Sequence, residues 1–261
     1  MLRILNLGAG VQSTTVALLI KHGELPTIDA AIFADTGWEP AAVYRHLAWL
    51  EPLLPFPVHR VSAGGRIQDQ EERTPGTRFI SLPMFTDNGG RLWRQCTKEW
   101  KIEPIHAKVR DLAGLRKGQR ATKDLCVEQW FGISRDEASR MRDSEIPWIT
   151  HRYPLVFDRP MSRADCVRWL ANHGYTEPPR SACIGCPFHT DAEWRRLKTQ
   201  SPTEFQEAVE FEQRVGPSRG PQRHRAYLHR SLLPLNQVDF STVEERGQQN
   251  WLEECSGHCG A

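Results

Sequence analysis

The sequence predicts an α/β fold built on a doubly wound parallel sheet, and three observations predict it. Short β-like runs alternate with helix-like segments through the first third, which calls for parallel strands joined by right-handed crossovers. The run Ala30-Ala31-Ile32-Phe33-Ala34 is continuously apolar, as a strand covered by helices on both faces must be. The first β-like run breaks into Gly8-Ala9-Gly10 just before a helical segment, giving a strand, glycine turn and helix in succession.

Residues 2–7 read as the first strand. In residues 13–22, Val16, Leu19 and Ile20 share one helical face, and Gly23 is the stop. Residues 30–34 form the second strand, with Asp35 at its carboxyl end. Pro40 opens an amphipathic helix carrying Val43, Leu47 and Leu50, which Pro52 and Pro55 terminate. Residues 58–61 are a third, shorter strand.

Residues 64–90 lack periodicity and are rich in Gly, Arg, Asp and Thr, so they are expected to form a long surface segment, a candidate lid, with one short strand at 79–82. A helix is expected over 98–112 with Pro104 near its first turn, then a strand over 127–133 and a helix over 136–142. Ser162-Arg163-Ala164-Asp165 reads as a capping box whose helix ends at Gly174. Residues 191–215 predict one or two helices broken near Ser201-Pro202. The expected organisation is a nucleotide-binding α/β domain over 1–180, with a cysteine-bearing helical and tail segment over 181–261 packed on the same core.

Charge is nearly balanced, 34 Lys plus Arg against 32 Asp plus Glu, so no overall basic field marks a dedicated nucleic-acid binder. Apolar runs fall far short of the roughly 18 residues needed to cross a bilayer, and the N-terminus enters a strand without a signal-peptide pattern. A cytoplasmic protein without a membrane partner is the expectation. In a reducing compartment the seven cysteines are ligands, nucleophiles or core residues rather than disulfide partners.

The turn Gly8-Ala9-Gly10-Val11-Gln12-Ser13-Thr14 is a phosphate-binding candidate: helix N–H groups and the helix dipole favour an anion, and Ser13 and Thr14 add hydroxyls. An ordinary strand-to-helix turn would use similar residues. Asp35-Thr36-Gly37 ends the second strand on the same sheet edge, where ligands of open α/β sheets bind. Ser62-Ala63-Gly64-Gly65, after the third strand, is a further candidate for that cleft. The glycine turn is neither a Walker A sequence nor a dinucleotide fingerprint.

Cys183-Ile184-Gly185-Cys186 places two thiolates within reach of one metal or cluster, and zinc, iron–sulfur and dithiol readings all fit the spacing. Cys166, beside Val167 in an amphipathic helix, reads as core. Arg91, Arg94 and Lys98 flank Cys96, and Arg219, Arg223, His224 and Arg225 precede the tail. Each cluster is either an anion fork or a solvated face.

Together the glycine turn and Asp35-Thr36-Gly37 resemble the PP-loop adenine-nucleotide α-hydrolase superfamily. The ATP-cleaving branch carries Lys-Asp where Val11-Gln12 stand. Gly10-Val11-Gln12-Ser13, and Pro40 and Tyr44 after Asp35-Thr36-Gly37, are similar to the sulfonucleotide (APS and PAPS) reductases. The segment Cys96-Thr97-Lys98-Glu99-Trp100-Lys101, with Pro104, resembles that of the cluster-bearing reductases, with Thr97 in place of a second cysteine.

The resemblance implies that Cys96, Cys183 and Cys186 ligate a 4Fe-4S cluster, with Lys101 near cluster and nucleotide. A fourth ligand would come from Cys126, Cys255, Cys259, a substrate atom or an open iron position. Zinc is the alternative, held by Cys183, Cys186 and a pair among Cys96, His189, Cys255, His258 and Cys259. Glu254-Cys255-Ser256-Gly257-His258 resembles the reductases' mobile tail, which implies Cys255 or Cys259 as nucleophile.

The function so implied is reduction of a bound sulfonucleotide, with sulfite released by a thiol protein such as thioredoxin. One rival is an ATP-using thiolation enzyme acting on tRNA or DNA. Another is a metal-stabilised nucleotide or nucleic-acid binding module without turnover.

Overall fold

The computed structural model describes residues 1–69, 81–217 and 224–240. In chain order it contains β1 (Leu2–Asn6), α1 (Val11–Lys21), β2 (Ala30–Ala34), α2 (Ala41–Leu50), β3 (Val58–Val61) and a short β4 (Phe85–Thr86). There follow α3 (Glu103–Leu112), β5 (Val127–Phe131), β6 (Ile149–Arg152), α4 (Pro154–Phe157), α5 (Arg163–Asn172), α6 (Asp191–Gln200), α7 (Pro202–Val215) and β7 (Ala226–Tyr227).

Five strands form an all-parallel sheet in the order β3-β2-β1-β5-β6. The register sets Leu5 beside Ala31 and Trp130, and Ile4 beside Ala30 and Gln129. Strand order therefore reverses between β1 and β5, the crevice where parallel sheets take ligands.

Alternation within each strand feeds two cores. Leu5, Ala31, Phe33 and Trp130 face one side, covered by Val16 and Leu19 of α1, Val43 and Leu47 of α2 and Trp169 of α5. Ile4, Ile32, Val127 and Ile149 face the other side, covered by Ile105 and Val109 of α3. Helices on both faces make the sheet doubly wound, as the unbroken apolar runs require. Each fully buried Leu or Ile contributes about 1.5–3 kcal/mol, so truncating Leu19 to Ala should cost about 2–5 kcal/mol.

A third core joins the turn after β2 to the C-terminal helices. Trp38, Trp100 and Ile184 pack with Trp194 of α6, Phe205 and Phe211 of α7 and Leu228 after β7. β4 and β7 pair antiparallel beside this cluster. Both predicted helix starts hold: Ser162 and Asp165 close a capping box on α5, and Pro202 begins α7 after the break at Ser201.

Several local expectations are corrected. Leu82 lies outside any strand, the short strand falling at β4, while residues 79 and 80 lie outside the described residues. The supposed surface segment buries Ile67, Leu82 and Met84 completely or nearly so, because single apolar residues spaced irregularly leave no periodic signal. Arg135–Arg140 forms 3-10 turns rather than an α-helix. β6 was not anticipated: Thr150, His151 and Arg152 are polar, as an edge strand tolerates. No helix among the described residues is long and apolar enough to cross a membrane.

Candidate functional site

The glycine turn leaves β1 through Ala9 in the left-handed region (φ 59°) and enters α1 at Gly10, which is extended. An L-residue at positive φ costs roughly 1–2 kcal/mol, so the buried packing around Ala9 holds a turn that the residue itself disfavours. The N-cap residue of α1 is Gly10, which has no side chain to cap the helix, and no residue of the first turn is acidic.

The predicted turn residues divide by what their side chains do. Val11 is buried in the sheet core, so only its backbone faces the turn. The Ser13 hydroxyl donates to the Gly10 carbonyl at 3.3 Å. Thr14 points inward and shares a 2.9 Å hydrogen bond with His46, whose imidazole burial pushes down to about 4 and so keeps neutral. Gln12 reaches across the switch point, donating to Glu137 (3.1 Å) and Ser134 (3.5 Å) and accepting from Arg163 (3.1 Å).

The glycines are required unequally. A Cβ on Gly132, at the exit of β5, would lie 2.6 Å from the Ser13 nitrogen, so only glycine lets that exit approach the turn. A Cβ on Gly10 would meet Ser181 at an ordinary 3.5 Å. Gly10 therefore needs neither a special backbone conformation nor the absence of a Cβ, which would make an ordinary contact with Ser181.

At the end of β2 the Asp35 carboxylate accepts from the Gly37 N–H and the Tyr44 hydroxyl, both at 2.7 Å. Burial, reinforced by that carboxylate, raises the Tyr44 phenol well above its ordinary value. Gly37 has φ +70°, and a Cβ there would press on the Arg66 backbone at 3.0 Å. The Thr36 hydroxyl donates to Glu39 at 2.9 Å and lies 3.3 Å from the Cys183 sulfur. The 62–65 turn adjoins this edge, since Ile67 N–H, just beyond it, donates to the Thr36 carbonyl at 2.9 Å.

The cysteine loop is laid directly over both turns. Ser181 stands against Gly8 and Gly10, and the Ile184 N–H donates to the Trp38 carbonyl at 2.9 Å. Gly185 lies flat on the Trp38 ring, where a Cβ would approach to 2.2 Å. His189 holds the loop from behind, with Nε2 3.0 Å from the Cys183 carbonyl and 3.2 Å from that of Ile184. Burial, then Arg180, pushes this imidazole down to about 3, so the neutral ring donates its Nε2 proton to those carbonyls.

Cys96, Cys183, Cys186, Lys101, Arg94 and Thr36 line one small cavity at this edge. Lys101 sits in a π-helical turn, Lys98–Ile102, that precedes α3, and its ammonium lies 3.9 Å from the Glu39 carboxylate. Both side chains are nearly buried, 9% and 0% exposed, so their charges act in a weakly screened environment. Burial and Glu39 raise the Cys183 thiol far above its ordinary value, while Lys101 pulls it back. Positive charge added beside Cys183 would favour its thiolate.

The remaining cysteines are elsewhere. Cys126 is exposed at the amino end of β5, its carbonyl accepting from Leu2, on the sheet edge opposite the cavity. Cys166 is buried in the α5 core as expected, and burial raises its thiol to about 12. Cys255, Cys259, His258, Arg219 and Arg223 lie outside the described residues. His224 and Arg225 both contact Asp87 beside the β4–β7 ribbon. Among the described residues no three His, Cys, Asp or Glu converge closely enough to hold a metal ion.

Sequence reasoning missed Glu39, Gly132, Ser181 and Arg163. Glu39 precedes a helix-opening proline, and no spacing in the sequence ties it to the cysteines. The other three act only through distant contacts.

Fold and site together define a doubly wound parallel α/β protein in which a cysteine loop covers the turns after β1 and β2. No family model matches the chain, and no curated protein matches it. Among solved structures the chain is similar to the phosphoadenylyl-sulfate (PAPS) reductase from Candida auris, solved as a phosphate complex. The two are 13% identical with a TM-score of 0.46, over 67% of this chain and 74% of that one.

Proposed function

We propose that the chain binds an adenine nucleotide across the glycine turn and performs thiol-dependent sulfur chemistry of the sulfonucleotide-reductase kind, beside an iron–sulfur cluster held by Cys96, Cys183 and Cys186. The observation that carries this reading is the seat of the cysteine loop. Ser181 packs against Gly8 and Gly10, and two residues later the Cys183 sulfur is 3.3 Å from Thr36, so phosphate turn and thiols share one edge.

What supports a cluster is that Cys96, Cys183 and Cys186 line one cavity, as the thiols of a shared cluster would. When bound, the cluster supplies iron charge beside the nucleotide. Lys101 offsets thiolate and phosphate charge, and the N–H groups at the start of α1 hold the phosphate. His189 and the Trp38–Gly185 contact keep the loop in place.

In the reaction, a tail thiolate, Cys255 or Cys259, attacks the sulfonucleotide sulfur. A sulfur–sulfur bond forms, the sulfur–oxygen bond breaks, and the nucleotide phosphate leaves with the electron pair. A dithiol protein such as thioredoxin then attacks the S-sulfocysteine, releasing sulfite and becoming oxidised.

The test is anaerobic incubation of the purified chain with APS, PAPS or ATP, following sulfite, adenosine phosphates and pyrophosphate, with iron and acid-labile sulfide measured on the same sample. Sulfite formation supports the reading. Pyrophosphate from ATP without sulfite would replace it with the adenylating thiolation enzyme, and stoichiometric zinc without sulfide would remove the cluster.

A further inference from the structure

The segment after β7 brings a serine and a histidine to an aspartate at the start of α6. The Ser231 hydroxyl lies 2.7 Å from His229 Nδ1, and His229 Nε2 lies 3.1 Å from Asp191 Oδ1. Nδ1 also accepts from the Ser231 N–H at 3.2 Å, so the ring carries its proton on Nε2 and directs it at the carboxylate. The serine hydroxyl is therefore the donor to Nδ1.

This line is held at several points. The Leu228 and Leu235 N–H groups donate at 2.7 Å to different oxygens of the buried Glu212 carboxylate, fixing both ends of the turn that carries His229 and Ser231. Leu232 closes the turn in the left-handed region (φ 59°), a conformation that costs an L-residue roughly 1–2 kcal/mol, and its N–H donates to the His229 carbonyl at 3.2 Å. Asp191 and His229 are 2% and 4% exposed, whereas Ser231 is open to solvent.

A buried carboxylate that orients an imidazole, whose other nitrogen takes the proton of an accessible hydroxyl, is the arrangement that activates a serine. Burial lowers the His229 imidazole and the bond to Asp191 only partly offsets this, so the ring is neutral at pH 7 and free to accept a proton. Arg230 shares Asp191 Oδ1 at 3.1 Å, while Oδ2 is buried with no hydrogen-bond partner among the described residues. A serine that only closed its own turn would not require this carboxylate, 38 positions from the histidine.

We propose that Ser231 is a nucleophile for acyl transfer from carboxylic esters presented from solvent, with His229 as its general base and Asp191 positioning the imidazole. The Ser231 oxygen bonds to the acyl carbon, the ester carbon–oxygen bond breaks, and the Ser231 proton passes through His229 to the departing alcohol. Water then releases the acid by the reverse path. The inference lies beyond the sulfur chemistry and uses none of the residues assigned to it.

The experiment treats the full chain with a fluorophosphonate probe, maps the adduct by peptide mass spectrometry and follows hydrolysis of p-nitrophenyl acetate. The adduct is expected on Ser231 and not on an ordinary exposed serine such as Ser139. Ser231→Ala, at an exposed position, should abolish labelling and ester turnover, and His229→Gln should slow labelling about 100-fold. Asp191→Asn should lower kcat about tenfold or more with KM within about twofold, a split that a purely structural role would not give. No adduct on Ser231, labelling shared equally with Ser139, or ester turnover unchanged in Ser231→Ala overturns the proposal. Neither reagent needs a nucleotide or a cluster, so failure here leaves the function proposed above standing, and failure of that function leaves this one untouched.

Discussion

The Thr36 hydroxyl stands 3.3 Å from the Cys183 sulfur while donating to Glu39 at 2.9 Å, tying the end of β2 to a loop that lies 147 positions away in the chain. This side chain, with the Ile184 N–H to Trp38 carbonyl bond, joins the end of β2 to the wall of the cysteine cavity. Thr36→Val keeps the volume but removes the hydroxyl that donates to the buried Glu39 carboxylate. The expected loss is about 1–3 kcal/mol of stability, measured by denaturant unfolding. An unchanged midpoint would mean that the hydroxyl does not bind the two halves of the site together.

Gly185 and Gly132 should prove far less replaceable than Gly10. Alanine at 185 drives a Cβ into the Trp38 ring and alanine at 132 drives one into the Ser13 backbone, at 2.2 and 2.6 Å. Overpacking of this kind costs about 1–3 kcal/mol, and more where the neighbour is backbone. Gly10→Ala meets only an ordinary contact with Ser181, so its fold should survive while nucleotide affinity drops. Melting temperature and nucleotide titration on all three variants check the ranking. Equal melting of Gly132→Ala and the parent chain would disprove the close approach.

Much of this arrangement was legible from the sequence, and the parts that were not share a cause. The strands at 30–34 and 58–61 and the capping box at Ser162 are local patterns, so composition and period reveal them. Cys183 and Cys186 announce themselves by spacing. Ser181 and Gly132 have no such pattern, because their roles exist only where the chain returns to the glycine turn. Thr14 is the instructive intermediate: its place in the turn was readable, but not the 2.9 Å bond to His46 that turns its hydroxyl into the protein.

The burial of His46 makes stability depend on pH. His46 is neutral in the fold, with burial pushing it down to about 4 from an ordinary 6.5. As pH falls below 6.5 the unfolded chain takes up a proton that the folded chain refuses, so stability declines until the folded imidazole titrates near 4. Across that window the slope contributed by one such group approaches about 1.4 kcal/mol per pH unit. His46→Gln removes the titration while retaining a polar partner for Thr14. Its unfolding free energy should therefore fall less steeply with acid than the parent's, and parallel pH profiles would show that His46 is not the group responsible.

The cysteines make the sharpest contrast, because five of the seven have described positions and only three of those line the cavity. If a cluster spans Cys96, Cys183 and Cys186, each Cys→Ser change should reduce iron and acid-labile sulfide strongly, since a serine hydroxyl is a poor substitute for a thiolate ligand. Cys126→Ser should leave iron content untouched, because that thiol is exposed on the opposite edge. Cys166→Ser should lower stability through its buried hydroxyl without changing iron per folded chain. Truncation after Glu253 then separates ligation from attack: loss of sulfite formation with iron retained assigns the tail to the nucleophile, whereas loss of both assigns a tail cysteine to the cluster. Iron that survives all three cavity substitutions would place the cluster elsewhere and leave the cavity without the role proposed for it.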